Sequence, residues 1–211
     1  MIVMIAVAAL LQQETAEETF KRLEQSVLQA KSLSIKCRLD LAQGDQKATA
    51  TGVLLLKETN RMKVSAAGAF GDPWAVSDGK KLTVDPRQGL ADGAEFKSPK
   101  DLNASMATAM IRKGFVDLPM LPRRIQIYGL DLKERLKLSD FKFGEKDGDL
   151  QTLTYVLQEG SGKVEITIWY DPKSLALKKR TWSFPSQKAA IAESYEEFTL
   201  NGEIPDEKFK P

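Results

Sequence analysis

The stretch Trp74-Ala-Val-Ser-Asp-Gly-Lys-Lys-Leu-Thr-Val-Asp-Pro86 constrains the fold more than any other part of the chain. Two short alternating runs meet at Asp78-Gly79, and a proline closes the second. Asp-Gly favours the positive backbone angles of a tight hairpin turn. A two-residue turn at Asp78-Gly79 predicts that Trp74, Val76, Leu82 and Val84 share one face of the hairpin, with Ser77 and Lys81 on the other. One face is then dry and the other wet.

The same alternation recurs near the C-terminus. Val164, Ile166, Ile168 and Tyr170 alternate with Glu165, Thr167 and Trp169 before Asp171-Pro172 stops the strand. Ser32 to Leu41 and Thr49 to Lys57 read as strands turned at Gly44-Asp45, and the apolar run Val53 to Leu56 predicts cover on both sides. Arg61 to Val64 continues the meander, and Phe96 anchors the loop from Gly89 to Pro99. Two helices interrupt the strands. The first opens at Thr15 with Glu17 and Glu18 in its first turn, and Phe20, Leu23, Val27 and Ala30 recur at helical spacing. The second runs from Asp101 to Lys113 with Leu102, Met106, Ala109 and Met110 along one side, and Gly114 stops it. A proline-bounded link, Leu118 to Pro122, follows, and strands resume from Phe141. Many antiparallel strands must curl or be covered, so the expected architecture is mainly β: a strongly bent antiparallel sheet with helices filling its open side.

The 211 residues allow one sizeable core, and 31 Lys and Arg against 29 Asp and Glu leave a net charge of +2. That balance carries no electrostatic commitment to nucleic acid. Histidine is absent, which removes the usual general base near neutral pH and the commonest metal ligand. The lone Cys37 alternates with Ile35, Leu39 and Leu41 and reads as a buried structural thiol. Met1 to Leu11 is almost wholly apolar and contains Ala6-Val7-Ala8, a small-x-small pattern suited to signal peptidase. Residues 1–13 are therefore expected to be an export signal and residues 14–211 the folded domain. The apolar run is shorter than the roughly 20 residues of a membrane-spanning helix.

Ser77-Asp-Gly-Lys80 and Ser139-Asp-Phe-Lys142 both match the serine-x-x-lysine pattern of acylated-serine hydrolases, but the first falls on the hairpin turn rather than on a helix. Neither is read as catalytic. Asp147-Gly-Asp149 lacks the further oxygen ligands of a calcium loop and reads as a solvated turn. No metal or cofactor is expected. Lys178-Lys-Arg180, beside Trp182 and Phe184, reads as an edge strand guarded by its lysines, or alternatively as a docking patch for an acidic partner or lipid headgroups. Arg123-Arg124 is a second local positive site. Methionines 106, 110 and 120 are flexible and polarizable, suited either to filling a core or to lining a cavity for varied acyl chains.

The order of an alternating strand, a Ser-Asp-Gly-Lys hairpin, a helical middle, Tyr170-Asp-Pro-Lys173 and the terminal run Phe198 to Phe209 resembles the LolA/LolB-type lipoprotein carrier family. The likeness runs from about Phe20 to Phe209 and rests on turn and strand signatures rather than catalytic ones. It implies an open half-barrel lidded by helices. It also implies a non-enzymatic, periplasmic, monomeric binder of lipoprotein acyl chains or other lipids, with a membrane protein or receptor as further partner and no nucleic acid. Trp74, Met106, Met110, Phe115, Tyr155, Ile166 and Ile168 are the expected ligand-binding residues. The family carries an arginine followed by proline after the strand that matches Gly52 to Lys57, and that arginine latches the lid. Here Glu58-Thr59 stands in its place. A related fold serves partners that respond to mislocalised lipoproteins, so an envelope-stress sensor or interaction protein is the alternative.

Overall fold

The computed structural model describes residues 14–69, 71–85, 95–184 and 189–210. The proposed export signal lies outside them. Helix α1 (Ala16–Leu28) is set by its first turn: Thr15 accepts from the Glu18 amide while the Glu18 carboxylate accepts from the Thr15 amide. This reciprocal box satisfies donors that a helix start leaves unpaired. Its buried stripe contains Phe20, Leu23 and Val27, as the spacing predicts.

Strands β1 (Ser32–Gln43), β2 (Gln46–Lys57), β3 (Arg61–Gly68), β4 (Trp74–Asp78), β5 (Lys81–Val84) and β6 (Glu95–Lys97) form the first meander. Helix α2 (Leu102–Arg112), a single 3-10 turn at Leu118–Met120, α3 (Leu121–Tyr128) and α4 (Leu132–Arg135) then cross to the second. It comprises β7 (Leu136–Phe143), β8 (Gln151–Glu159), β9 (Gly162–Tyr170), β10 (Leu177–Phe184) and β11 (Ala189–Leu200). All 11 strands form one sheet in the order β6-β5-β4-β3-β2-β1-β11-β10-β9-β8-β7. Every pairing is antiparallel, and the sheet is not closed into a barrel. The two meanders meet where β1 pairs β11, from Leu33 opposite Leu200 to Gln43 opposite Ala189.

One face of this sheet is dry. Leu33, Ile35, Cys37 and Leu39 on β1 alternate with more exposed neighbours, and Leu54, Val64, Leu153, Ile166 and Ile168 join them in one core with the buried sides of α1 and α2. Phe20 packs its ring 4.9 Å from Tyr155 and 5.3 Å from Phe141, which joins α1 to the second meander. The helices thus fill the concave side.

Three expectations are corrected. In the β4–β5 hairpin, Ala75 lies opposite Val84 and Ser77 opposite Leu82, so the turn falls one residue later than expected. The reason is local: the Asp78 carboxylate accepts from the Lys80 and Lys81 amides, and Gly79 takes a φ of 98°, so Asp78 closes the strand and Gly79-Lys80 makes the turn. Residues directly opposite each other across an antiparallel pair share a face, so Ala75 and Ser77 side with Leu82 and Val84, and Trp74 and Val76 do not. Ala75, Ser77, Leu82 and Val84 are therefore the inward set, and Trp74 stands on the outer face, half-buried. Secondly, β10 is interior, between β9 and β11, and Arg180 points into the core; the edges are β6 and β7. Thirdly, the outward members of the Val53–Leu56 run, Val53 and Leu55, are only partly buried, whereas Leu54 and Leu56 are in the core.

Candidate functional site

Six of the expected ligand-binding residues come together. Met106 and Met110 on α2, Phe115 in the loop after it, Tyr155 on β8, and Ile166 and Ile168 on β9 are fully buried members of the same core. The seventh, Trp74, is not brought to them. Under α2 the space is occupied by side chains. Phe115 is seated on Gly52 of β2, where an added Cβ would fall 2.2 Å from its ring. Beside the end of α2, the crevice among Ala109, Leu118, Leu121 and Leu136 holds only about 20 Å³.

The end of α2 is fixed to the sheet by buried polar groups. Arg180 of β10 donates from Nη1 to the Met110 carbonyl at 2.8 Å and from Nη2 to the Ile111 carbonyl at 2.7 Å. Both are carbonyls of the last turn, where a cation complements the helix dipole; the Met110 carbonyl also accepts from the Gly114 amide at 3.0 Å. Glu193 of β11 lies 3.5 Å from Arg180 Nη1 and accepts from the Phe115 amide at 2.7 Å and from the Tyr195 hydroxyl. The Tyr155 hydroxyl donates to the Arg112 carbonyl at 2.9 Å. Arg180 and Glu193 have no exposure to water. Burial raises the Glu193 pKa, against the pull of Arg180, the Tyr195 hydroxyl and the Phe115 and Val116 amides. Burial opposes the Arg180 charge, but Tyr195, Tyr155 and Glu193 outweigh it and leave its pKa raised. Burial pushes Tyr155 up to about 12 and also lifts the Cys37 thiol, which keeps both neutral. At the end of β2 and the start of β3, Lys57 and Arg61 both pair with Asp206, at 2.6 and 2.7 Å. The guanidinium bonded to the last turn of α2 is that of Arg180 on β10.

Beyond Phe115 the concave face continues, and no helix among the described residues lines it. At the tips of β1, β2, β10 and β11, Leu41, Ala48, Phe184, Ala189 and Ile191 line a groove of about 690 Å³, with Gln43 and Gln46 at its lip. An adjoining space of about 410 Å³ shares Phe184 and Ile191 and adds Val116, Leu157, Val164 and Trp182. Together they form an apolar trough, each part of which lies in the size range of small-molecule sites, roughly 300–1,000 Å³. Its inner end is rimmed by Lys113, which bridges Asp117 at 2.6 Å and Glu159; Glu159 also pairs with Arg135 at 3.0 Å. The Lys113 pKa is raised although burial lowers it, because the two carboxylates more than compensate. The Trp182 indole N–H is buried there without an acceptor. An apolar floor with satisfied charges at one end and two carboxamides at the other can hold a hydrocarbon chain; it presents no nucleophile paired with a base. Among the described residues, no group of three His, Cys, Asp or Glu side chains comes together as a metal site. Leu41 and Ile191 are not among the expected ligand-binding residues; their signal in the sequence is the continuation of the inward alternation to the strand ends.

Solved structures similar to this chain include a LolA superfamily protein from Nitrosomonas europaea, at 12% identity over 93% of this chain and 98% of that one, with a TM-score of 0.43. LprF from Mycobacterium bovis matches at 9% identity over 90% and 94%, with a TM-score of 0.41. The MucA/MucB complex of Pseudomonas aeruginosa matches at 9% identity over 93% of this chain and 60% of that one, with a TM-score of 0.45. No family model and no curated protein matches the sequence. The LolA-type resemblance thus recurs among solved structures, while the open half-barrel stands on the strand order itself.

Proposed function

We propose that this protein is a non-enzymatic, periplasmic carrier or binder of acyl chains, of a lipoprotein or another lipid, which it takes up in the groove at the β1–β11 tips of its half-barrel. The groove of about 690 Å³ floored by Leu41, Phe184 and Ile191 carries this reading. Burial of alkyl groups needs no catalytic side chain, and about 0.8 kcal/mol per methylene accumulates along a long chain. Met106, Met110, Phe115, Tyr155, Ile166 and Ile168 then form the closed inner half, which a longer chain reaches only by displacing Phe115 from Gly52. Native mass spectrometry of purified protein for co-isolated lipid, followed by titration with a fluorescent fatty acid, tests the reading. Protein that carries no lipid and does not bind the probe refutes it.

The packed interior under α2 favours a second reading, an interaction or envelope-stress sensor protein whose groove receives an apolar peptide segment. Retention of a peptide with exclusion of lipid in the same experiment would select it.

A further inference from the structure

Ile127 and Tyr128 stand apart from the rest of the described surface. They are 48% and 70% exposed, and Phe143, at the far end of β7, is the other large apolar side chain so exposed among the described residues. The two are adjacent at the C-terminal end of α3, which Gly129 terminates in the left-handed conformation. Arg124, three and four residues earlier, is also exposed and shares their side of the helix. The other side is anchored, with Leu121, Pro122 and Ile125 buried. Between Arg123 and Arg135 the sequence carries four cations (Arg123, Arg124, Lys133, Arg135) and two carboxylates (Asp131, Glu134); Arg135 is paired with Glu159, which leaves an excess of 3 − 2 = +1. The Asp131 carboxylate caps α4, accepting from the Lys133 and Glu134 amides.

We propose that the Ile127-Tyr128 tip is a membrane-docking site, which rests on an anionic bilayer with Ile127 and Tyr128 among the headgroups and Arg124 and Lys133 against phosphates. The shape favours lipid over a protein partner. Ile127 and Tyr128 stand exposed side by side at a helix end, and a bilayer yields around inserted side chains whereas a folded partner would have to supply a matching pocket. Tyrosine suits the headgroup level, where its ring is apolar and its hydroxyl wet, and an arginine one turn away can extend to the phosphates. The excess positive charge supplies complementarity to an anionic leaflet. The tip also lies beside the proposed groove: Arg124 lines the same crevice as Lys113, Asp117 and Glu159, and those three rim the inner end of the trough. Docking at α3 would therefore bring the charged rim of the groove to the surface from which an acyl chain comes.

The test is co-sedimentation of the full chain with phosphatidylcholine vesicles, with and without phosphatidylglycerol. Wild type should sediment with the anionic vesicles. The double variant Ile127→Ser, Tyr128→Ser should partition about tenfold more weakly, the equivalent of about 1.4 kcal/mol. Arg124→Gln should weaken binding about fivefold on anionic vesicles and leave neutral ones unchanged. Because these side chains are exposed, thermal melts and fatty-acid probe binding should match wild type, so the docking proposal and the groove reading fail separately. Wild type that stays off both vesicle types, as it would if the tip seats a protein, overturns the proposal. So does a double variant that sediments like wild type, because membrane contact would then lie elsewhere on the chain.

Discussion

Arg180 and Glu193 are the residues on which the helix-to-sheet junction depends. Removal of one member of a buried ion pair leaves the other uncompensated, so Glu193→Ala should cost about 3–5 kcal/mol in a urea melt. The pH dependence carries a definite sign. Burial raises the folded-state pKa of Glu193 above its unfolded value, so its contribution is full below the ordinary carboxylate range and is lost as pH rises through the raised value. The stability of wild type relative to Glu193→Gln should accordingly fall as pH rises across that window; a constant difference would contradict the raised pKa. Gly114 belongs to the same junction: its φ is +97°, and an added Cβ would lie 2.3 Å from Arg180 Nη1 and 2.6 Å from both Glu193 oxygens. Gly114→Ala should therefore destabilise by several times the roughly 1 kcal/mol expected of Gly148→Ala, which has a similar backbone sign and nothing within 4 Å. Thermal melts of the two variants make the comparison. Cys37 could be placed from its sequence neighbours, because period-two burial is local information. Arg180 could not: the alternation Arg180, Trp182, Phe184 marked one face, but only the long-range partner Glu193 makes a charge tolerable there.

Helix α2 and the trough respond differently to the same chemistry. Met110 has no exposure and its carbonyl is held by Arg180, so Met110→Asp buries a carboxylate among aliphatic side chains at a cost of several kcal/mol and should unfold the protein. Ile191 is only half-buried and lines the groove, so Ile191→Asp should keep the melt within about 1 kcal/mol of wild type while fatty-acid probe binding collapses. Probe binding that survives Ile191→Asp would move the site away from the β1–β11 tips. The extents of α1 and α2 were legible because apolar spacing and a stop residue both lie within the segment, with Thr15 and Gly114 as punctuation. The hairpin register was not, because the side chain of Asp78 bonds the Lys80 and Lys81 amides and moves the turn by one residue, a contact that an Asp-Gly pair alone does not announce. The trough escaped the sequence reading for a related reason. Whether the inward residue of a strand end is covered depends on where α2 stops over the sheet, and that is decided by the buried Arg180 and Glu193.

Across the molecule, the first and last long strands pair in the middle of the sheet, so β1 and β11 join two meanders that would otherwise each bear an open apolar edge. Both strands are hydrogen-bonded on two sides, β1 to β2 and β11, and β11 to β1 and β10. The outer strands β6 and β7 have a neighbour on one side only, and β7 carries a register shift between Ser139 and Lys142 with Asp140 at a φ of 56°. Such a bulge spoils an edge as a template for further pairing. Stability should therefore grade outward from the junction. Amides of Ile35 to Leu39 and of Glu193 to Tyr195 should exchange only through global unfolding, with the full denaturant dependence of the urea melt, while those of β6 and β7 exchange through local opening that denaturant hardly affects. Ala192→Pro supplies the complementary perturbation. Ala192 lies between Asp40 and Thr181, on the sheet face opposite its neighbours Ile191 and Glu193, and proline there removes an amide donor from a strand paired on both sides. If β1 and β11 close the sheet, this substitution should abolish the cooperative melt and raise exchange in both meanders together. If only the second meander loses protection, the two halves are independent units and the junction is a contact between them rather than the centre of one sheet.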